Sequence, residues 1–292
     1  MRKLITSAIA VTLVLTLFAG CGEASDSQSD FNLGREITVV SRESGSGTRG
    51  AFIELTGIEV RDAGGTVTDM TSPEATIGNG TNAIMTNVAG DRYAIGYIST
   101  GSVNETIRTV SVDGVVPTAE NILAGGYAIA RPFIIVTAGD LDALAQEFID
   151  FIMSAPGQEI VAGRYIPVDL AAPAFTSAGH GGRVVIGGSS SVAPVMELLS
   201  EGYRALNPNA TIEVHSSGSG AGITGAIDGL LDIGMSSRDI RESEMEQLDS
   251  QLTIAMDGIA VIVNNANPLE NLTGEQVRQI FTGELTRWSD IG

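Results

Sequence analysis

The sequence predicts a two-lobed α/β protein whose sheets are mostly parallel, and three observations support this prediction. The chain has 292 residues, more than a single compact core usually serves. Hydrophobic residues make up 43% of it and charged residues 17%, as in well-packed globular proteins. Short apolar strands also alternate with helical segments along the chain, which is typical of proteins built on parallel sheets.

Residues 1–20 have the features of an export signal. Arg2 and Lys3 form a basic start, and an apolar run too short for a membrane span follows. Cys21, the only cysteine, ends the sequence LFAGC, which resembles a bacterial lipobox except that phenylalanine stands where leucine is more usual. This resemblance implies a lipid anchor on Cys21, and the alternative is an ordinary signal peptide. Residues 21–30 are polar and typical of a flexible tether.

The charge of the chain excludes several classes of partner and site. The formal net charge is −19, which argues strongly against binding to nucleic acid. Lys3 is the only lysine, so a Walker-type phosphate loop is impossible in the rest of the chain. A single cysteine and two histidines leave no sensible zinc site. Any anion bound by so acidic a protein must be held by local dipoles and a few arginines.

Three units of strand, glycine–serine loop and helix are recognisable in the sequence. The first predicts a strand over 36–41, a loop over 42–48 and a helix over 48–56. The other two predict strands over 183–187 and 211–214, loops over 188–191 and 216–222, and helices over 193–206 and up to residue 230. Further strands are expected over 93–98, 133–137 and 259–264, and helices over 141–154 and 273–282.

Residues 169–182 (DLAAPAFTSAGHGG) interrupt this pattern. They lack periodic apolar residues and are rich in Ala, Gly, Pro and Ser. They also lie between a helical region and a new strand. We therefore expect a linker on the surface.

The three loops share a chemistry that suits anions. A loop that ends at a helix N-terminus leaves backbone N–H groups unpaired, with the positive end of the helix dipole behind them. Serine and threonine hydroxyls add donors, and glycine lets the backbone approach a ligand closely. Serine and glycine also cap helices for stability alone. Three such loops in one exported chain nevertheless favour a binding site.

An enzyme is the main alternative. The sequence GSGTRG over 45–50 matches the dinucleotide fingerprint G-x-G-x-x-G, yet the acidic residues that follow lie in a glycine- and threonine-rich stretch interpreted as a loop. No serine lies in a G-x-S-x-G elbow, and the catalytic use of His215 with a loop serine has little to support it.

Several longer motifs resemble the phosphate-binding proteins of ABC phosphate importers. These motifs are RESGSGTRGAF over 42–52, AIGYIS over 94–99, GSSSVAP over 188–194, IGMSSR over 233–238, MDGIAVIVN over 256–264 and LTGEQVRQIFTGELTRWSDI over 272–291. The resemblance extends from residue 35 to residue 292. It implies two α/β lobes joined by hinge strands that close on phosphate.

The order of the motifs differs from that in most members of this family. The segment that usually comes first is 183–292 here, and the one that usually follows is 35–166. The chain therefore resembles a circularly permuted member, with 169–182 joining the old termini and the new ends lying close together. One lobe is expected over 31–127 plus 259–292, the other over 128–258, with hinge crossings near 127–133 and 257–261.

The resemblance implies roles for individual residues. Arg42 would donate charged hydrogen bonds to phosphate. Other donors would come from both lobes: Ser46, Gly47, Thr48, Ser190, Ser191, Ser219 and Ser237. Ser237 and Ser44 both stand where most members have aspartate, the first to accept the proton of hydrogen phosphate and the second to pair with the arginine. Glu43, Asp239 or Asp257 could supply the missing acceptor, and Arg238 a second cation.

The resemblance thus implies an extracytoplasmic receptor that binds inorganic phosphate without a cofactor, a metal or catalysis. It would be held by a lipid at the outer face of the cell membrane and would deliver phosphate to the membrane subunits of an ABC permease. Sulfate, molybdate or tungstate could be the ligand in place of phosphate. A dinucleotide-dependent oxidoreductase is the competing hypothesis from the enzyme class, and a surface adhesin or phosphate sensor would share the fold and differ in its partner.

Overall fold

A computed structural model describes residues 31–62 and 66–292, so the predicted signal segment and Cys21 lie outside the described residues. From the start to residue 129, the elements are β1 Thr38–Arg42, α1 Gly47–Leu55, β2 Glu59–Arg61, β3 Val67–Asp69, β4 Thr76–Gly78, α2 Thr81–Gly90, β5 Ala94–Ser99, β6 Ile107–Val112 and α3 Ala119–Leu123.

The next stretch contains β7 Ala130–Thr137, α4 Ala143–Ile152, α5 Ala155–Ala162, β8 Ile166–Pro167, β9 Gly182–Gly188, α6 Ala193–Leu206, β10 Ala210–Ser216, α7 Ser219–Ile227, β11 Ile233–Ser236 and α8 Glu242–Met245. The chain ends with β12 Ser250–Asn264, β13 Asn271–Leu272 and α9 Gly274–Thr282. None of the helices in the described part is long and apolar enough to cross a membrane.

Helix boundaries follow from local sequence. Thr273 begins α9 with a capping box, in which its hydroxyl accepts from the N–H of Gln276 and the Gln276 side chain accepts from the N–H of Thr273. Gly283 ends the helix in the left-handed conformation, with φ of 82°. In α6, apolar residues recur at helical spacing and turn one face into the core, so this helix has the bounds that the sequence predicts.

Eleven strands form one curled sheet with the order β10-β9-β11-β7-β12-β5-β1-β4, and β6, β8 and β13 pair beside this path. The expected parallel strands are present in both halves of this sheet, which also has an antiparallel centre. The outer strands are parallel, as in β10–β9–β11 and β5–β1–β4, but β7 and β12 run antiparallel to each other and to their neighbours β11 and β5. Two outer parallel groups are therefore joined through an antiparallel centre.

β12 connects the two halves of this sheet. Its first part, up to Gly258, pairs with β7, and its second part, from Ile259, pairs with β5 and β6. The apolar cores divide at the same place. Two clusters of buried apolar residues lie entirely within 133–255, whereas the other two combine residues 40–129 with residues 259–291. Two cores on one shared strand are what two lobes require, although the predicted lobe boundaries stay a prediction.

The two ends of the described chain lie side by side. Ile37 donates its backbone N–H to the carbonyl of Thr286 at 2.8 Å, and Ser289 donates to the carbonyl of Leu33 at 2.7 Å. Arg287 also bonds the carbonyl of Gly34 through its guanidinium. The expected proximity of the new ends is confirmed, which is a geometric requirement of a permuted chain.

Residues 169–182 run along the surface, as expected for a linker, but are fastened to the lobe beneath. Phe175 packs against the rings of Phe151 and Tyr203. The carboxylate of Glu147 accepts hydrogen bonds from the hydroxyl of Ser177 and the N–H of Ala178. These contacts hold the surface linker against the lobe.

The stretch after α1 differs from its prediction. It contains a short hairpin, β2–β3, in place of a loop. Asp69, the acidic residue that a dinucleotide fold would place near a ribose, lies on this hairpin and pairs with Arg49 at 2.7 Å. β1 pairs in parallel with β4 and with β5. In the sequence, the separate β2–β3 hairpin lies between α1 and these strands. This arrangement differs from the β-α-β unit that a dinucleotide site needs.

Substitution of Phe52 tests the core that supports the first loop. Phe52 is fully buried, stacks on Tyr97 with ring centroids 3.9 Å apart and meets Phe281 edge-on. We expect Phe52→Ala to lower the free energy of unfolding by about 3–5 kcal/mol because it leaves a cavity. Urea unfolding measures this. Leu170→Ala, at a position that is 92% exposed, is the control and should change it by about 0.5 kcal/mol at most. Equal effects of the two substitutions would contradict the assigned core.

Candidate functional site

The three glycine–serine loops meet at one place between the two halves of the sheet. They follow the carboxyl ends of β1, β9 and β10 and lead into α1, α6 and α7. β1 belongs to one half of the sheet, and β9 and β10 belong to the other. Gly220 donates its backbone N–H to the carbonyl of Gly45 at 3.1 Å, so the first and third loops are in direct contact.

The hydroxyls of these loops form one buried cluster, which we call the hydroxyl cluster. It comprises Thr48, Thr81, Ser189, Ser190, Ser191, Ser219 and Ser237. Thr48 Oγ1 lies 2.7 Å from Ser191 Oγ, a hydrogen bond that joins the first loop to the second. Ser189 Oγ donates to Ser237 Oγ at 2.8 Å, and the backbone N–H of Ser237 donates to Ser219 Oγ at 3.1 Å. All seven side chains except Ser190 are buried.

Gly47 makes this convergence possible. It opens α1 and lies so close to the opposite half that a Cβ atom there would collide with the hydroxyls of Ser219 and Ser237. Glycine is therefore required by space at this position. Ser46 caps the same helix by accepting from the N–H of Arg49 at 3.2 Å, and the first residues of a helix have further N–H groups without a partner inside the helix.

Arg42 brings a cation to the edge of the cluster. Its side chain is 1% exposed, and its Nη2 atom donates to Ser190 Oγ at 2.9 Å. Nε and Nη2 also form a fork to the carboxylate of Glu43, at 2.8 and 2.7 Å. Nη1 is buried without a hydrogen-bond partner. A buried guanidinium with a free donor is suited to bind an anion.

Glu43 pairs with Arg42 and lies next to Ser44, the position where the family resemblance implies an aspartate. Ser44 itself is exposed and does not join the hydroxyl cluster. Both carboxylate oxygens of Glu43 accept hydrogen bonds, from Arg42 and from the N–H of Gly80 at 3.1 Å. Burial opposes the ionised form, but these donors outweigh it and lower the pKa of Glu43 below its usual value. Glu43 is thus an ionised partner of Arg42, and its expected use as the acceptor of the ligand proton stays a prediction.

Asp257 has other partners as well. Ser99, Thr100 and Arg131 donate to its two oxygens at 3.0, 2.9 and 3.2 Å. Burial raises the pKa of Asp257, and the charge of Arg131 and the hydroxyl donors oppose that rise. The expected use of this carboxylate as an acceptor for the ligand stays a prediction, although its oxygens already accept from three residues.

Arg238 also lies outside the hydroxyl cluster. Its guanidinium forms a fork to Glu244 at 2.8 and 2.7 Å and donates to the carbonyl of Asp239. Its expected role as a second cation in the site stays a prediction. Asp239 is exposed.

The structure brings together eight residues predicted from sequence: Arg42, Ser46, Gly47, Thr48, Ser190, Ser191, Ser219 and Ser237. It adds Thr81, Ser189 and Arg131, which sequence reasoning missed. Ser189 stands inside the GSSS loop and was detectable there. Thr81 follows Gly80, whose φ of 83° makes the turn into α2, but the predicted elements include no helix at this point. Among the described residues, no group of three or more His, Cys, Asp or Glu side chains could hold a metal ion.

Comparisons with known proteins agree with this architecture. Residues 24–156 and 173–292 match the family model described as PBP superfamily domain. The phosphate-binding protein PstS 2 of Streptococcus agalactiae serotype V is 44% identical over 286 residues, which cover 97% of this chain and 96% of that protein. A crystal structure of a phosphate-binding protein of a phosphate ABC transporter from Streptococcus pneumoniae TIGR4 is 41% identical. It has a TM-score of 0.71 and covers 88% of this chain and 100% of its own.

A more distant relative aligns over one segment only. The phosphate-binding protein PstS of Staphylococcus haemolyticus is 37% identical over 111 residues, which cover 36% of this chain and 35% of that protein.

The pairing of Arg42 with Glu43 predicts a pH-dependent contribution to stability. A carboxylate with a lowered pKa stabilises the folded state above its unfolded pKa, near 4.5, and loses that contribution as pH falls through the folded pKa. We expect Glu43→Gln to unfold at lower urea concentration than the wild type at pH 7. The difference should shrink as pH falls below the unfolded pKa of about 4.5 and through the lower folded pKa. Glu275→Gln, at an exposed pair with Arg278, is the control. A difference between wild type and Glu43→Gln that persists unchanged at low pH would contradict the assignment.

Proposed function

This chain belongs to the PBP superfamily and, within it, to the phosphate-binding proteins, and from this membership we propose that it captures inorganic phosphate outside the cytoplasm and delivers it to an ABC-type permease. The observation that carries the proposal is the hydroxyl cluster beside the free Nη1 donor of Arg42. Donors from both halves of the sheet converge there, so a bound oxyanion would be enclosed as the halves close.

The donors suit a tetrahedral oxyanion. Backbone N–H groups at the start of α1 and hydroxyls from the second and third loops would surround its oxygens, and Arg42 would add charge-assisted hydrogen bonds. The proposed contacts are those of Arg42, Ser46, Gly47, Thr48, Ser190, Ser191, Ser219 and Ser237. A receptor of this kind makes and breaks no covalent bond and needs no cofactor.

Three finer features also belong to the proposal. The chain would be a circularly permuted member of its family, which is supported by the adjacent ends and by a relative that aligns over about a third of both chains. Cys21 would carry a lipid that holds the receptor at the outer face of the membrane, which is supported by the sequence LFAGC alone. The two lobes would span 31–127 plus 259–292 and 128–258, which is supported by the division of the apolar cores.

Calorimetric titration of the protein from residue 22 onward, stripped of ligand, tests the ligand. We expect tight binding of phosphate at neutral pH that excess sulfate displaces poorly. Arg42→Ala should weaken it by about a hundredfold or more, because a charged hydrogen-bonding partner is lost. Arg183→Ala, which removes an exposed arginine paired with Glu213, is the control and should bind like the wild type. Absence of phosphate binding, or equal competition by sulfate, would contradict the proposed ligand.

Ser237 is the proposed discriminator between phosphate and sulfate. A hydroxyl can accept the proton of hydrogen phosphate, whereas sulfate has no proton to donate at neutral pH. We expect Ser237→Ala to reduce the ratio of phosphate affinity to sulfate affinity by about tenfold. Competition titrations give this ratio for the variant and the wild type, with Ser102→Ala as a serine control outside the cluster. An unchanged ratio in Ser237→Ala would remove Ser237 from this role.

A further inference from the structure

A buried ion pair lies directly behind the hydroxyl cluster. Arg131 on β7 and Asp257 on β12 are opposite each other in the register of the two central strands. Their side chains are 2% and 0% exposed, and Arg131 Nη2 lies 3.2 Å from Asp257 Oδ2. Two opposite charges withdrawn from water at this depth are costly to bury, so the pair calls for a reason beyond stability.

The other half of the Arg131 guanidinium reaches the site. Nη1 donates to the backbone carbonyl of Ser237 at 3.0 Å. Ser237 is thereby held at three atoms, because its N–H donates to Ser219 and its hydroxyl accepts from Ser189. Arg131 thus fixes the residue whose hydroxyl is proposed to distinguish the ligand. It also places a positive charge beside the cluster, in addition to that of Arg42.

The effect of this ion pair on a bound anion depends on which of its two charges lies nearer to the hydroxyl cluster. The Arg131 guanidinium bonds Ser237 with one nitrogen and Asp257 with another, so the cation lies between the cluster and the carboxylate. Arg131 is also within electrostatic range of Arg42 on β1 and of Tyr165 after α5. Burial lowers the pKa of Arg131 to about 10, with Asp257 opposing this effect, so the side chain is charged at neutral pH. Nε of Arg131 is buried without a partner.

We infer that Arg131 is the second cation of the anion site, a positioning residue that orients Ser237 and favours a doubly charged oxyanion, while Asp257 anchors it to the opposite half of the sheet. This inference rests on the proposed phosphate-binding function. Asp257 accepts hydrogen bonds from Ser99 and Thr100 at the end of β5, in the half of the sheet that contains β1. The ion pair therefore links the anion site, the two central strands β7 and β12, and that half of the sheet. The positive charge that the sequence suggested for Arg238 is supplied by Arg131.

Removal of the positive charge of Arg131 and removal of the negative charge of Asp257 should affect phosphate binding differently if Arg131 acts on the anion. The two removals should affect it equally if the pair is only structural. Attraction of a doubly charged anion scales with both charges, so loss of the nearer cation weakens binding and loss of the farther carboxylate does not. We expect Arg131→Gln to weaken phosphate binding by about tenfold or more at about pH 8.5, where phosphate is doubly charged. Asp257→Asn keeps an oxygen for Arg131 and should bind phosphate as tightly as the wild type or more tightly.

Arg131→Gln leaves the buried carboxylate of Asp257 without its partner and could therefore fail to fold. A variant in which both side chains are neutral avoids this problem. The double variant Arg131→Gln/Asp257→Asn removes both charges at similar volume, and we expect it to lose the same affinity as Arg131→Gln. Arg108→Gln, which removes an arginine that bonds the carbonyls of Asn267 and Leu269 outside the cluster, is the matched control. Thermal unfolding of every variant without ligand reports any loss of fold.

The outcomes distinguish this inference from the proposed function. A wild-type protein that binds no phosphate would overturn the proposed function. Wild-type binding with equal losses in Arg131→Gln and Asp257→Asn would show a structural pair and would overturn this inference alone. Wild-type affinity in the folded double variant would also overturn it.

Discussion

The buried guanidinium of Arg42 is the constraint on which the site depends. A cation that is 1% exposed must find hydrogen-bond acceptors, and the carboxylate of the adjacent Glu43 supplies two of them. The hydroxyl of Ser190 is a further acceptor, and one nitrogen of Arg42 stays free. An acidic protein thereby concentrates positive potential at one point without a basic surface, because helix N-termini and hydroxyl dipoles supply the rest.

The sheet topology explains why residues so distant in sequence meet there. β12 is a single strand of 15 residues that belongs to both halves, and β7 runs antiparallel beside its first part. The loops at the ends of β1, β9 and β10 consequently face one another across the junction. Gly47 permits the closest approach, and the hydroxyl pair of Thr48 with Ser191 joins the halves. The Arg131–Asp257 pair lies where β7 and β12 cross between the halves, so the junction and the site share side chains.

The sequence predicts the parts of this arrangement that depend on local pattern. The three loops, the α6 helix and the eight clustered residues follow from strand–loop–helix units and from the family resemblance. Long-range pairing could not be predicted. Arg131 finds its carboxylate 126 residues away, and its apolar strand gave no sign of a functional arginine. The antiparallel centre was missed because a strand's neighbours are set by the whole sheet. The pairing of Arg42 with Glu43 could not be predicted, because it depends on the direction of the Arg42 side chain in the folded protein.

The central claim is that an oxyanion is held by Arg42 and by loops from both halves of the sheet. A crystal structure of the protein from residue 22 onward with phosphate tests it most directly. The account predicts one phosphate within hydrogen-bond distance of Arg42, the N-terminus of α1 and hydroxyls of the second and third loops. Phosphate bound outside the hydroxyl cluster, or contacting the loops of one half alone, would contradict the account.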